Sequence, residues 1–288
     1  MRTRHCPILI ALAAAPLVVT GASVAQVTNG MKTSDVNAAL LVVSPVQQRV
    51  AGKRVGTASG FFYLSGDRLF FVTNRHVVID EGKKIYPDEL VLSLHTDPDD
   101  ISKSSEYAVA LSRNGKPTYL VHPKYPQTPI DIAVLPVSSV GFAERFVIKA
   151  LSKEAVLPDD LLLSPGEDAM VIGYPLGVSD TVNNLPVIRG ALLASAPNVF
   201  FQGLPCFLID ANLHPGTSGS PVMTRPRNDW PTKGGKGIKF MTGTPMYFLG
   251  VHSATLSVGS GSSSTPLGLG QVWHASLIEE IIAQRSAG

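Results

Sequence analysis

Residues 57–78, TASGFFYLSGDRLFFVTNRHVV, hold two runs rich in aromatic and β-branched residues, 57–64 and 68–74, with a Ser-Gly-Asp turn between them. Short apolar runs of this kind, bounded by turn residues, read as β-strands. The same texture returns at 36–46, 89–96, 106–113, 118–123 and 131–137, and Asn114-Gly115 adds a hairpin signal. A looser stretch from 138 to 165, carrying Lys149, Lys153, Glu154, Asp159 and Asp160, reads as a connector. A second series follows at 168–176, 185–196, 206–211, 220–224, 246–256 and 267–275. No helical pattern alternates with these runs, so the sequence argues for antiparallel barrels or sandwiches over a parallel α/β sheet. Residues 276–285, SLIEEIIAQR, have helical spacing, with Leu277, Ile278, Ile281 and Ile282 on one face.

Composition bounds what such a chain can be. Its 288 residues, 44% hydrophobic and 16% charged, suffice for one large domain or two small packed ones and exclude a disordered chain. Residues 1–25 read as a secretory signal peptide. Arg2, Arg4 and His5 start it, Pro7 to Thr20 is apolar and uncharged, and Ser23-Val24-Ala25 offers a cleavage site before Gln26. An uncleaved anchor would need about 20 apolar residues, whereas Pro16 interrupts this run and Thr20-Gly21 ends it. The mature chain is thus expected without a membrane anchor, in a bacterial periplasm or secreted. Without Arg2 and Arg4, 22 of the 24 basic residues face 22 acidic ones, and no block of like charge suggests nucleic acid. Cys206, in the apolar setting PCFLID, is then the lone cysteine and reads as a buried small hydrophobe. The segments 224–244, with five basic residues and one acidic, and 258–266, rich in Gly and Ser, read as exposed loops.

The stretch 214–222, HPGTSGSPV, surrounds Ser218 with turn formers. A serine becomes a nucleophile when a base takes its proton and a third group orients that base. His76 stands at the end of an apolar strand, and Asp131 opens the strand DIAVLPV, an unusual place for a carboxylate unless it has a partner. The chain order His76, Asp131, Ser218 differs from the subtilisin and α/β-hydrolase orders, and GTSGS does not match the G-x-S-x-G elbow.

With these motifs in view, the chain resembles the trypsin-like peptidases. GTASGFFYL with LFFVTNRHVV is similar to their histidine motif, IDIAVLPV to the aspartate motif and DANLHPGTSGSPV to the serine motif. The last is similar to that of the bacterial Deg-type (high-temperature-requirement) branch, as are VIGYPLG, RGALLAS and YFLGVHSA. The resemblance spans roughly residues 50 to 282 and implies an all-β fold of two packed antiparallel six-stranded β-barrels, chymotrypsin-like, with a C-terminal helix. The barrels would cover 36–145, carrying His76 and Asp131, and 160–275, carrying Ser218, with the helix over 276–288.

By resemblance, Ser218 is the nucleophile, His76 the general base and acid, and Asp131 the group that orients the imidazole, with the N–H groups of Gly216 and Ser218 as oxyanion hole. Asn212 would lie near the base of the specificity pocket, and Ser253, Ala254 and Thr255 would pair with the substrate backbone. An uncharged Asn212 argues against Lys or Arg preference, and Thr255 would narrow the pocket toward small apolar side chains. Thr217 replaces the aspartate that digestive members carry before the serine, so no zymogen cleavage of that kind is expected. No PDZ-like region is expected after the catalytic segment. His214 and His252 read as rim or packing residues, while His95, His122 and His274 are scattered without metal-ligand spacing. Neither cofactor nor metal is expected. The expected activity is that of an exported serine endopeptidase acting on protein or peptide substrates. A catalytically silent binding module on the same fold is the alternative, and esterase action on small acyl substrates would use the same machinery.

Overall fold

The computed structural model describes residues 31–137, 141–259 and 265–284, and the leader expected over 1–25 lies outside them. The first half contains β1 (Val43–Val50), β2 (Lys53–Ser65), β3 (Arg68–Thr73), a one-turn helix α1 (Arg75–Val78), β4 (Glu89–His95), β5 (Ser104–Ala110), β6 (Ser112–Arg113), β7 (Lys116–Pro117), β8 (Leu120–Val121) and β9 (Ala133–Pro136). A connector bears α2 (Phe142–Arg145) and β10 (Leu151–Ser152). The second half follows with β11 (Asp168–Gly173), β12 (Val187–Leu193), β13 (Cys206–Asp210), β14 (Pro221–Thr224), β15 (Asp229–Pro231), β16 (Ile238–Phe240), β17 (Phe248–Val258) and β18 (Thr265–His274), and α3 (Ser276–Ala283) ends the described chain.

The second half is a closed six-stranded barrel in the order β11-β12-β13-β18-β17-β14. The first half differs in detail from a closed six-stranded barrel. Its sheet runs β5-β4-β1-β2-β3-β9-β8, with β10 added in parallel on β2, and its end strands β5 and β8 do not pair. Asn114 and Gly115, at φ 52° and 72°, form the tight turn between β6 and β7, the left-handed pair that a two-residue hairpin needs. The segment 224–244 is less open than its composition suggests. It folds back as the β15–β16 hairpin, pinned by fully buried Trp230, whose ring carries the Arg227 guanidinium 3.9 Å from its centroid.

Strand pleating explains why so many runs read as continuously apolar. Successive side chains point to opposite faces of a strand, and in both halves each face meets a core. On β2, Ala58 and Phe62 enter the core of the first half, while Phe61 and Tyr63 enter a core shared by both halves. The same alternation sends Phe71 one way and Phe70 with Val72 the other. In the second half, Ala169, Val171 and Val222 face the barrel interior, and Met170, Ile172 and Met223 face the shared core.

Helix α3 closes that shared core with Leu277, Ile278, Ile281 and Ile282, the four residues of its apolar face. On its other side Glu279 accepts hydrogen bonds from Tyr63 Oη at 3.0 Å and Ser65 Oγ at 2.8 Å, tying the chain end to β2. Among the described residues no helix is long and apolar enough to cross a membrane. Because α3 covers the joint between the halves, replacing fully buried Ile278 by Ala is expected to cost about 2 to 5 kcal/mol, the usual range for a large-to-small core change. Urea unfolding monitored by tryptophan fluorescence checks this, and a loss under about 0.5 kcal/mol, the size of an ordinary surface substitution, would contradict it.

Candidate active site

His76 sits on α1, immediately after β3, and not on the strand itself. The turn is fixed from below by Asn74, fully buried, whose Nδ2 donates to the Asp131 carbonyl at 2.7 Å. Asp131 stands two residues before β9, which pairs with β3 through Thr73 and Ala133. The neighbouring strands thus bring the imidazole and the carboxylate to one height. Asp131 Oδ1 accepts the backbone N–H of His76 at 2.9 Å, and Oδ2 lies 2.7 Å from His76 Nδ1. Two contacts to one carboxylate fix both the position and the orientation of the ring. A third arrives from the other half, where Ser253 Oγ donates to Asp131 Oδ2 at 2.6 Å.

Ser218 lies on the loop before β14 and lines the same cleft as His76, a hollow of about 460 Å³ between the two halves. Its Oγ donates to the Ser253 carbonyl at 3.2 Å, and among the described residues no hydrogen bond joins it to His76. Around it the loop spends its N–H groups selectively. Those of Thr217, Gly219 and Ser220 donate to the carbonyls of His214, His252 and Thr217, whereas those of Gly216 and Ser218 donate to no acceptor among the described residues. The Pro215 carbonyl is drawn away by the N–H of Leu176 at 2.6 Å. Gly216 has φ +97° and a Cβ there would stand 2.6 Å from the Tyr174 carbonyl, so a side chain is excluded by backbone, not by flexible neighbours.

Ser59 of β2 anchors this loop from the first half. Its Oγ donates to the Gly216 carbonyl at 2.8 Å and accepts the Tyr174 N–H at 2.9 Å, and its N–H donates to the Ser218 carbonyl at 2.9 Å. The sequence carries no notice of this role beyond a hydroxyl placed in an otherwise apolar strand. It likewise assigned Ser253 to substrate pairing alone and missed the hydroxyl contact with Asp131.

Of the remaining site expectations, Ala254 and Thr255 line the cleft beside Ser253. The pairing of β17 with β14 ends near Val251 and His252, and that with β18 is irregular from His252 to Thr255. On the side toward β14, residues 253–255 have no strand partner among the described residues, while Thr255 pairs with Gly270 on the other side. Asn212 is not brought into the cleft. It is exposed, and its carbonyl is held by Arg189 Nη2 at 2.7 Å. His214 lines the hollow, half-buried, while His252 is buried and not at the rim. Cys206 is buried, with its thiol pushed up in pKa by that burial. Among the described residues no cluster of His, Cys, Asp and Glu could hold a metal ion.

A cleft between two β-halves, with a carboxylate-held histidine on one wall and a serine loop on the other, is the layout of a trypsin-like domain. Residues 58–228 match the model of the trypsin-like peptidase domain, and the chain belongs to that family. No curated protein matches it. Among solved structures it is similar to the serine endoprotease from Yersinia pestis, with 14% identity over 86% of this chain and 63% of that one, at a TM-score of 0.49. The chain therefore spans less than two thirds of that protein. It is also similar to the inactive form of Rv3671c from M. tuberculosis. One such structure, a serine variant, has 17% identity over 90% of this chain and 92% of that one, at a TM-score of 0.44. Another has 18% identity over 86% and 90%, at 0.42.

Two expected outcomes follow from the geometry. Ser59→Ala leaves the Gly216 carbonyl and Tyr174 N–H buried without their hydroxyl partner, which is expected to cost about 2 kcal/mol in urea unfolding. His252 is held neutral by burial, its pKa lowered to about 4, with the nearby His76 adding to the effect and Gln271 and Asp131 opposing it. The folded chain therefore takes up this proton only below the pH at which the unfolded chain does. Stability is full above pH 6.5 and is lost as pH falls toward 4, by about 3 kcal/mol from this residue. Urea midpoints at pH 7 and pH 4, compared with those of His252→Gln, measure it. Equal pH dependence in both proteins would refute it.

Proposed function

We propose that the chain is an exported serine endopeptidase that hydrolyses peptide bonds through Ser218, His76 and Asp131. The observation that carries this reading is the Asp131 carboxylate gripping both the backbone and the ring of His76, in the cleft where Ser218 lies beside two unspent amides. In the mechanism, rotation of the Ser218 hydroxyl from the Ser253 carbonyl toward the cleft lets its proton pass to His76 as Oγ attacks the scissile carbonyl. Asp131 keeps the proton of the His76 ring on Nδ1, leaves the other nitrogen free as base, and stabilises the imidazolium that forms. The Gly216 and Ser218 amides receive the developing oxyanion, a contribution worth about 3 to 4 kcal/mol per donor. His76 then returns its proton to the leaving amine, and water repeats the cycle on the acyl-enzyme.

Substrate would lie extended along residues 253–255, whose side toward β14 can add a strand by main-chain hydrogen bonds. Residues 36–145 and 160–275 are, in this reading, two catalytic halves that each supply one wall. The basic, apolar and small-residue pattern of residues 1–25 supports export, to a bacterial periplasm or outside the cell.

One observation favours the silent binding module instead, namely that the Ser218 hydroxyl is engaged by the Ser253 carbonyl and not by His76. Casein hydrolysis and labelling by a serine-directed phosphonate decide between the two. The mature chain is expected to cleave and label, and Ser218→Ala to do neither, with a loss of at least about 1,000-fold in kcat. A wild type that neither cleaves nor labels would favour the binding module.

A further inference from the structure

Residues 224–244 carry five basic residues against one acidic, and neither the core nor the cleft accounts for all five. Three of them are tied to the body of the second half. Arg225 Nε stands 3.2 Å from Asp168, Arg227 Nη1 2.6 Å from Glu167, and Lys239 Nζ 2.8 Å from Asp160. Lys233 and Lys236 remain. Both are exposed at the tip of the β15–β16 hairpin, and among the described residues neither stands within ion-pair distance of a carboxylate.

The pairing register shows which way the hairpin faces. Trp230 opposes Lys239, so the two share one face. That face is turned to the protein, since Trp230 is fully buried and Lys239 reaches Asp160. Neighbouring residues on each strand point the opposite way, which leaves Ile238 and Phe240 on the outward face, 58% and 74% exposed. Phe240 is the most exposed large hydrophobic residue among those described. Half-buried Pro231 lies beside Ile238, and Asp229, opposite Phe240, puts one carboxylate at the base of the same face. The hairpin is closed at both ends, with the Thr232 N–H donating to the Gly237 carbonyl at 2.9 Å and the Met241 N–H to the Asn228 carbonyl at 2.8 Å. The apolar pair is thereby held out from the body on a formed strand.

An aromatic and an aliphatic side chain projecting beside free lysines suit a lipid surface better than a protein. A standard protein interface buries about 800 Å² on each partner, whereas two such side chains offer only on the order of 200 to 300 Å². A bilayer sets no such minimum, because its headgroup region admits apolar side chains of any outline, and each lysine near an anionic surface strengthens attachment about fivefold. We propose that the β15–β16 hairpin is a membrane-docking element that lays Ile238 and Phe240 into an anionic phospholipid surface while Lys233 and Lys236 meet the headgroups. The opposing charges are Asp229 and Asp159, which lines a hollow together with Lys233. Two apolar side chains and two cations give reversible attachment, not an anchor. The cleft residues take no part in it.

Vesicle co-sedimentation tests this with the chain from Gln26 onward, because the apolar run within residues 1–25 would itself bind lipid. The vesicles are phosphatidylcholine alone or phosphatidylcholine mixed with phosphatidylglycerol. Binding to the anionic vesicles is expected to be tighter by at least about 10-fold at low salt and to weaken as salt is raised. Lys233→Gln with Lys236→Gln is expected to remove about 10-fold or more of it. Ile238→Ser with Phe240→Ser is expected to lose a comparable factor, and Asp229→Asn to strengthen binding about threefold. All five positions are exposed, so urea midpoints are expected to stay unchanged and show that each variant is folded. In Phe240→Trp, the emission of the new indole is expected to shift to the blue when anionic vesicles are added, which reads insertion at that position directly. Equal binding to both kinds of vesicle, or anionic binding that survives Ile238→Ser with Phe240→Ser, overturns the proposal. Self-association that this double variant abolishes, in a chain that binds no vesicles, also overturns it and makes the face a contact between copies. Casein cleavage without vesicles is expected to be the same in the hairpin variants as in the wild type, so docking and catalysis are read separately.

Discussion

The Asp131 carboxylate is the junction on which the cleft depends. It takes the backbone and ring of His76 from the first half and the hydroxyl of Ser253 from the second. A carboxylate at the edge of a core is costly to desolvate unless its oxygens are occupied, and three donors meet that requirement. Because the donors come from both halves, satisfying one charge also sets how the halves meet. The Ser59 contacts repeat the principle from the opposite direction, with a first-half hydroxyl holding the carbonyl and amide that shape the Ser218 loop. The two polar joints and the shared apolar core are mutually supportive: the core supplies the driving force and the joints supply the alignment.

Much of the architecture was legible in the sequence because strand pleating imposes a period that apolar residues must follow. The long strand β17, the barrel of the second half and the four-residue face of α3 lie where the apolar runs place them. The helical turn at Arg75–Val78 was not legible, since RHVV carries β-branched residues and no capping signal, and it forms because Asp131 and Asn74 hold it there. Nor could the sequence tell a closed barrel from an open sheet, as closure depends on whether end strands meet and not on any local pattern. The segment 224–244 reads as open by its charges, yet Trp230 alone outweighs them by filling the second core.

The cleft was legible to a different degree at each residue. His76, Asp131 and Ser218 stand out by context, each a polar residue at the junction of an apolar strand and a loop; His76 and Ser218 line one hollow, and Asp131 is hydrogen-bonded to the His76 ring. Asn212 was misplaced by motif position, because the chain turns its side chain outward between buried Ala211 and Leu213. Ser59 showed only as a hydroxyl in an apolar strand, and the hydroxyl role of Ser253 carried no signal. Their partners lie far away in sequence, and small hydroxyl residues in strands are common.

The shared core has a consequence for the order in which the molecule comes into being. Its members run from Val42 to Ile282, so those on α3 leave the ribosome after the rest of that core. Contacts of such sequence separation form late, since closing the loop between them precedes any reward. A nascent or half-built chain holds one wall of the cleft and lacks the other, with His76 and Asp131 on one side of the gap and Ser218 on the other. The hollow exists only once both halves are built, so a chain still emerging from the ribosome carries its two walls apart.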